Sequence, residues 1–518
     1  MRGVGSCRAR GGRERIGEGE SSAKLCGSAP VQYETVIGLE VHVELATQSK
    51  LFCGCPNRFG APPNSLVCPI CLGLPGSLPK INQRAVELHV LAALALDCQV
   101  PALSKFDRKN YFYPDMPKNF QTSQYDQPLA AHGALVISEL GQPERVINIT
   151  RIHLEEDTGK SVHFRRIQGQ LVADRLASSE LSLVDYNRAG VPLMEIVSEP
   201  EIRTPDEASA YLQHLREILV WLGISDCRME EGSMRCDANI SIRPVGQLEL
   251  GTKTEIKNMN SFKSVRDALD YEIHRQVRVV SEGGRITQET RGWDEARKVT
   301  ISMRSKEEAH DYRYFPEPDL PPLEISEPWL QAVRQNLVEL PRARSQRYLQ
   351  GGLSPYDAGL MVQSRALSDF FEQCLALGSE AKEVSNWLAN EVARLSQEKG
   401  IPLLESRLTA AGLSGLLEQV GQSKVNRAGA RQVLEKLYSE GGQAADWIAQ
   451  LGLAQMGGGD ELETLVRQAV EANPVAVAEF RSGKEKALNQ VVGQVMKLTK
   501  GRANAAEVMR ILKEVLGD

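Results

Sequence analysis

Several stretches of this 518-residue chain put reactive side chains at spacings that can do chemistry. In Glu40-Val41-His42-Val43-Glu44-Leu45 polar and apolar residues alternate. A strand there places Glu40, His42 and Glu44 on one face and Val41, Val43 and Leu45 on the other. Three such groups can hold a divalent cation, although a solvated strand face is the simpler account of this stretch taken alone. A second run, His153-Leu154-Glu155-Glu156-Asp157-Thr158-Gly159-Lys160, sets carboxylates side by side. They repel unless a cation or water compensates. Mg2+ takes few carboxylates, keeps waters and bridges to substrate phosphates. The two stretches suit such an ion if the fold brings them together, which spacing alone does not establish. Lys253, Glu255 and Lys257 share one face of an expected strand and can aim two cations at one point. The run from Asp107 to Tyr113 interleaves basic and aromatic residues, as phosphate contact plus base stacking requires and as many surface loops also do. Neither a P-loop lysine motif nor a dinucleotide fingerprint is present, so phosphoryl chemistry here would not use a common nucleotide fold.

The cysteines make a different kind of site. Of ten, four fall within 19 residues as Cys53-x-Cys55 and Cys68-x2-Cys71, separated by the turn-rich PNRFGAPPNSLV. Four thiolates in two close pairs select Zn2+. Four protein ligands leave no open position, so the metal would be structural; reduced free thiols are the alternative. Ten cysteines are too sparse for a disulfide framework in a chain of this size, and a reducing compartment is expected.

These groups need elements to position them. Between Tyr33 and about Pro322, period-2 stretches such as Glu40 to Leu45 and Asp237 to Arg243 are expected strands. They are interrupted by helices at Pro205 to Leu222 and about Val265 to Val280. The first has a Thr204–Glu207 capping pair, Pro205 at its first position and Gly223 beyond its end. Without regular alternation of strand and helix, this predicts an antiparallel α+β domain. Five prolines between Pro316 and Pro328 set the main domain boundary, and the rest is helical in pattern, with a break at Gly457 to Gly459. The longest apolar run, Val90 to Leu96, is far too short to span a membrane. Residues 1–32 are expected to be a disordered extension. They carry no apolar core of a secretory signal, and Glu14, Glu18 and Glu20 fit an organellar transit peptide poorly.

A resemblance joins these fragments. VIGLEVHVEL (36–45), KFDRKNYFYPDMPK (105–118), HLEEDTGKS (153–161), VDYNRAGVPLMEIVSEPEIRTP (184–205), GSMRCDANISI (232–242), TEIKNMNSF (254–262) and MRSKEEAHDYRYFPEPDLPP (303–322) resemble, in order, the B-type subunits of the glutamine-dependent aspartyl/glutamyl-tRNA amidotransferases. The resemblance continues through NPVAVAEFRSGK and GQVMKLTKGRAN to the C-terminus. It implies a cradle-like catalytic domain over 33–322 with an antiparallel sheet and zinc knuckle. An all-α domain over 323–440 and a tRNA-binding tail over 441–518 follow, with a YqeY-like region that can begin near 366. It implies ATP- and Mg2+-dependent phosphorylation of the side-chain carboxylate of Glu on tRNA(Gln) or Asp on tRNA(Asn), followed by displacement of phosphate by ammonia. Ammonia would come from glutamine through the A-type amidase (glutaminase) partner, with a small C-type partner holding the heterotrimer together in a bacterial-type cytoplasm. Matched by position, Glu40, His42, Glu155 and Glu156 are the implied cation ligands, and Lys253 and Lys257 the implied nucleotide contacts.

Net charge is -6, which excludes a protein coated with nucleic-acid-binding charge. Arg481 to Asp518 nevertheless carries eight Lys or Arg against four Asp or Glu, and Lys497, Lys500 and Arg502 cluster around Gly501 as candidate phosphate contacts for tRNA. Three other readings compete. A zinc-containing RNA-binding protein without chemistry of its own would not need Glu40 or His42. A metalloprotease lacks its HExxH helix. The archaeal Glu-specific relative needs an inserted domain for which 518 residues leave little room.

Overall fold

The computed structural model describes residues 32–517 apart from 139–142, 168–169, 174–178, 305–311, 456–459, 483 and 500. Residues 1–31, Gly457 to Gly459 and Lys500 thus lie outside the described residues. The elements that build the site are β1 (Tyr33–Glu44), α1 (Gln83–Ala95), β2 (Asp107–Asn110), β3 (Phe120–Ser123), β4 (Ala130–Ile137), β5 (Arg145–Glu156), β6 (Pro192–Ser198), α2 (Pro205–Trp221), β7 (Met234–Pro244), β8 (Thr254–Met259), α3 (Phe262–Ser281), β9 (Thr290–Asp294), β10 (Val299–Arg304) and β11 (Phe315–Pro316).

Eight strands form one sheet in the order β10-β9-β8-β7-β1-β6-β5-β4. Every neighbouring pair is antiparallel except β8 with β9. β1, at the centre, follows its period-2 pattern: Val41 and Val43 are fully buried, while Glu40, His42 and Glu44 are half-buried on the opposite side. The apolar face is closed by α1 and α2 against β4, with α1 also against β5, and by α3 against β7 and β8. The polar face is left open as a cleft, roofed by the small sheet β11-β2-β3. Two layers around one core, with one sheet face wet, suit an antiparallel sheet.

The helix ends are chemically determined. Thr204 Oγ1 accepts from Glu207 N at 3.0 Å, as the capping pair requires, and Gly223 turns the chain out at φ +66°. The Glu207 carboxylate reaches back to Arg203 N at 2.7 Å, one residue before the cap, because Arg145 also draws it there. α3 begins three residues earlier than the pattern predicts, since Ser261 caps it by accepting from Ser264 N.

The proline cluster does not divide the cores. Leu323–Glu324 pairs with Leu103–Ser104, and the helix Glu327–Arg334 follows. Ile325 and Val333 join the sheet core. A second, all-helical core begins at Tyr348 and includes Ala444 and Ile448; a third runs from Leu462 to Leu512. Prolines end elements, but apolar side chains between them decide which core a segment joins.

One buried group gives this core a pH dependence. His89 on α1 is fully buried and neither ring nitrogen makes a well-formed hydrogen bond. Burial, reinforced by the nearby His153, pushes its pKa down to about 3. The unfolded ring, near 6.5, takes up a proton as pH falls that the folded ring cannot. This group therefore costs stability below pH 6.5, about 2 kcal/mol between pH 7 and pH 5. His89→Leu should flatten the urea-unfolding profile over that interval. An unchanged loss of stability between pH 7 and pH 5 would refute the assignment.

Candidate active site

The site is written in strand register. β1 pairs with β6 so that His42 faces Glu195, β6 pairs with β5 so that Glu195 faces His153, and β1 pairs with β7 so that His42 faces Arg235. Arg235, His42, Glu195 and His153 thus form one row across four strands. One row up, Glu155 lies opposite Leu193; one row down, Glu40 lies between Asp237 and Val197.

Contacts within the row are close. His42 Nε2 is 3.1 Å from Glu195 Oε2, and His153 Nε2 is 3.4 Å from Glu195 and 3.5 Å from Glu155. Ser123 Oγ donates to Glu155 Oε2 at 2.9 Å. Burial opposes the charge on every member, yet the neighbours prevail. His153 rises to about 9 because Glu195 and Glu155 outweigh its desolvation. His42 is raised for the same reason, chiefly by Glu195. Glu195 itself is held well below the usual carboxylate range by the two imidazoles. Lys109 on β2 is raised by Glu155 and Glu195, and its ammonium lies 4.9 Å from the Tyr312 ring centre.

Two adjoining cavities, about 560 and 290 Å³, share His42, Lys109, Glu155, Asp237, Lys257 and Tyr312. A third, about 680 Å³, continues past Arg235, Asp237 and Lys257 toward Arg188 and Arg58. Tyr125 and Tyr314 stack at 4.4 Å on the wall, a flat apolar surface beside charged groups. Ligand atoms of His42, Glu155 and Glu195 all lie within 4.8 Å of one another. Two carboxylates and an imidazole at that separation fit a hard divalent cation that keeps positions for water and phosphate oxygens.

Against known proteins, residues 35–331 match the family model described as the GatB/GatE catalytic domain, and residues 369–516 match that described as the GatB domain. The chain belongs to this GatB family. It is 54% identical over 486 residues to the B subunit of the aspartyl/glutamyl-tRNA(Asn/Gln) amidotransferase of Carboxydothermus hydrogenoformans, covering 94% of this chain and 99% of that one. The proteins of the same name from Moorella thermoacetica and Brevibacillus brevis are each 51% identical, over 94% of this chain and 100% and 99% of theirs.

Within this GatB chain the expected residues separate into groups. Glu40, His42, Glu155 and Lys257 line the cleft together. Asn239 Nδ2 donates to Glu40 Oε1 at 2.8 Å, and Lys257 Nζ lies 2.6 Å from Asp237. Glu156, next to Glu155 on β5, points to the opposite face. There it accepts from Thr122 N at 2.8 Å, pairs with Lys118 and borders a separate cavity near Cys53 and Cys71. Strand alternation keeps it out of the cleft. Lys253 precedes β8 and is exposed outside the cleft. His153 and Lys109 belong to runs that the sequence marks, but Glu195 and Asp237 carry no such mark, although Glu195 sits in an alternating Leu193-Met194-Glu195-Ile196-Val197 strand that marks its face.

The four cysteine Sγ atoms lie within 4.8 Å of one another, with Cys68 and Cys71 3.9 Å apart. A tetrahedron with Zn–S bonds of about 2.3 Å needs sulfurs about 3.8 Å apart, so the donor set fits zinc. Cys68 N donates to Cys71 Sγ at 3.1 Å. In the tail, Lys497 and Arg502 are exposed on either side of Gly501, which takes φ +77°. Among the described residues no helix is long and apolar enough to cross a membrane.

Proposed function

We propose that this chain is the component of a tRNA-dependent amidotransferase that activates the side-chain carboxylate of a misacylated Glu-tRNA(Gln) or Asp-tRNA(Asn). It would work with an A-type glutaminase partner and a small C-type partner, using ATP and Mg2+. The reading rests chiefly on the His42–Glu195–Glu155 constellation inside the segment matching the GatB/GatE catalytic domain.

A carboxylate is a poor acyl electrophile. One of its oxygens attacks the γ-phosphorus of ATP, the bond to the ADP oxygen breaks, and the acyl phosphate gains a leaving group. Ammonia then attacks the carbonyl carbon, the C–O bond to phosphate breaks, and the nitrogen loses its extra proton. Bound Mg2+ would supply charge neutralisation on the phosphates. The chain's own work is positional. His42, Glu155 and Glu195 would hold the ion, and Glu40 would reach it through water from its bond to Asn239. Lys109 and Lys257, on opposite walls, would face the phosphate oxygens. Tyr125 and Tyr314 offer a stacking surface for a base. Zinc at Cys53, Cys55, Cys68 and Cys71 would hold the knuckle, and Lys497, Lys500 and Arg502 would contact tRNA phosphates. The sheet core, which extends through Val333, would serve catalysis, the second core from Tyr348 to Ile448 support, and the third from Leu462 onward tRNA docking.

The decisive experiment reconstitutes this chain with the glutaminase and C-type partners and supplies glutamine, ATP, Mg2+ and Glu-tRNA(Gln) or Asp-tRNA(Asn) in turn. Amidation of at least one, dependent on ATP, is expected. ATP-independent amidation, or none with either tRNA, would defeat the proposal.

A further inference from the structure

Far from the cleft, a helix in the second core is wound too wide. Ala381–Asn386 is α-helical, Trp387–Val392 is π-helical, and Ala393–Lys399 is α-helical again. Such segments cost hydrogen-bond geometry and often mark functional sites. Beside the widened turn lies an open pocket of about 260 Å³. It is lined by Asn386, Trp387, Asn390, Glu391, Arg427 and Arg431.

Every lining side chain can hydrogen-bond. Trp387 is 5% exposed, and its indole N–H makes no hydrogen bond among the described residues, so a donor on the cavity wall is left for an incoming group. Arg427 and Arg431 are four residues apart on the helix Arg427–Glu440 and share a face. Arg431 is held by Glu391 at 2.7 Å, whereas Arg427 has no carboxylate within ion-pair distance among the described residues. Arg427 also opens its helix, where the macrodipole adds positive charge. Asn386 offers an exposed amide at the rim.

One hydrogen bond links the residue next to the cavity to the basic tail. Asn426, the cap preceding Arg427, accepts from Gly429 N at 2.7 Å and donates to Gly501 O at 2.5 Å. That bond ties the cavity's edge to the turn between Lys497 and Arg502. We infer that this cavity holds a single nucleotide of the RNA substrate, its phosphate on Arg427 and Arg431 and its base among Asn386, Asn390 and Trp387. The inference rests on the tRNA reading above. A flat group rich in acceptors, carrying one negative charge, satisfies both the amides and the orphan indole donor; an apolar side chain would leave that donor unpaired.

The test uses the reconstituted complex and unmodified full-length tRNA. Arg427→Gln should raise the Kd about five- to tenfold and lower the slope of log K against log salt by about one. Asn386→Ala should weaken binding severalfold with the slope unchanged. Both variants should melt at the wild-type temperature, since neither side chain is packed in a core. A photo-crosslinking amino acid at position 386 should capture RNA. An unchanged Kd in both variants, or a crosslink confined to a partner polypeptide, would overturn the inference, the latter in favour of a protein-docking pocket. Binding is scored apart from amidation, so a complex that binds tRNA through Arg427 but amidates nothing would sink only the functional proposal.

Discussion

In the reconstituted complex, Glu195→Gln is expected to slow ATP-dependent amidation of the charged tRNA by about 10²- to 10³-fold, the range for removing one preorganised electrostatic group. The reason is geometric. Glu195 Oε2 lies 3.1 Å from His42 Nε2 and 3.4 Å from His153 Nε2, and its carboxylate is also one of three candidate cation ligands. Glutamine keeps the volume and removes the charge. The imidazoles lose the anion that orients them, and a divalent ion loses one of two carboxylates. Glu155→Ala should be at least as severe, because Glu155 is 2% exposed and its space cannot be refilled by the sheet. Both variants should raise the Mg2+ concentration for half-maximal rate. Glutamine hydrolysis by the glutaminase partner, a separate reaction, should be at least partly retained. Glu40→Gln should be milder, since an amide can still meet Asn239 after a flip. Wild-type amidation by Glu195→Gln would remove the metal-site assignment.

What could be seen in the sequence was what depends on neighbours along the chain. The alternation of Glu40, His42 and Glu44 declares its own face, and the cysteine pairs declare their chemistry by residue type and spacing. Glu195 was invisible for the opposite reason. Its importance comes from register with His42, 153 residues earlier, and with His153 on β5. No local pattern specifies which strands become partners of β1. Glu156 shows what the same alternation forbids: adjacent strand residues point apart, so Glu155 and Glu156 cannot serve one ion. Glu156 instead holds Lys118 against Phe52 and Phe120, on the side of the cysteine loop. Lys253 falls one residue outside β8, which starts at Thr254, so strand alternation does not carry it to the face of Lys257. The π-helical turn Trp387–Val392 lies inside a stretch whose pattern is simply helical, so no residue type marks it.

Loss of the proposed zinc from the cysteine loop should be the second large effect, and it should be local. Within residues 53–79 the described backbone has turns and bends but no named helix or strand. What fastens the loop is mostly polar and near the surface. Asn64 N donates to Asp185 Oδ1 at 2.9 Å, Leu66 N to Asn187 Oδ1 at 2.7 Å, and Lys80 N to Phe52 O at 3.0 Å. Of residues 53–79 only Cys71 is buried, so hydrogen bonds near solvent carry the loop and its local unfolding free energy is small unless a metal adds to it. Structural zinc contributes about 10–16 kcal/mol in peptides that have nothing else, but here the sheet core stands without it. Chelation, or Cys68→Ser, should therefore open residues 53–79 to proteolysis while the sheet stays folded. Cys71 lines the cavity that also contains Lys118 and Glu156, so the loss should distort that wall, while amidation falls less than in Glu195→Gln because this cavity is separate from the cleft. Because thiolates must be deprotonated to bind, zinc should leave as the pH is lowered. Elemental analysis of the purified chain should give about one zinc, and none in Cys68→Ser. A wild-type protein without zinc whose loop resists protease would show that the four thiols hold the knuckle by packing alone.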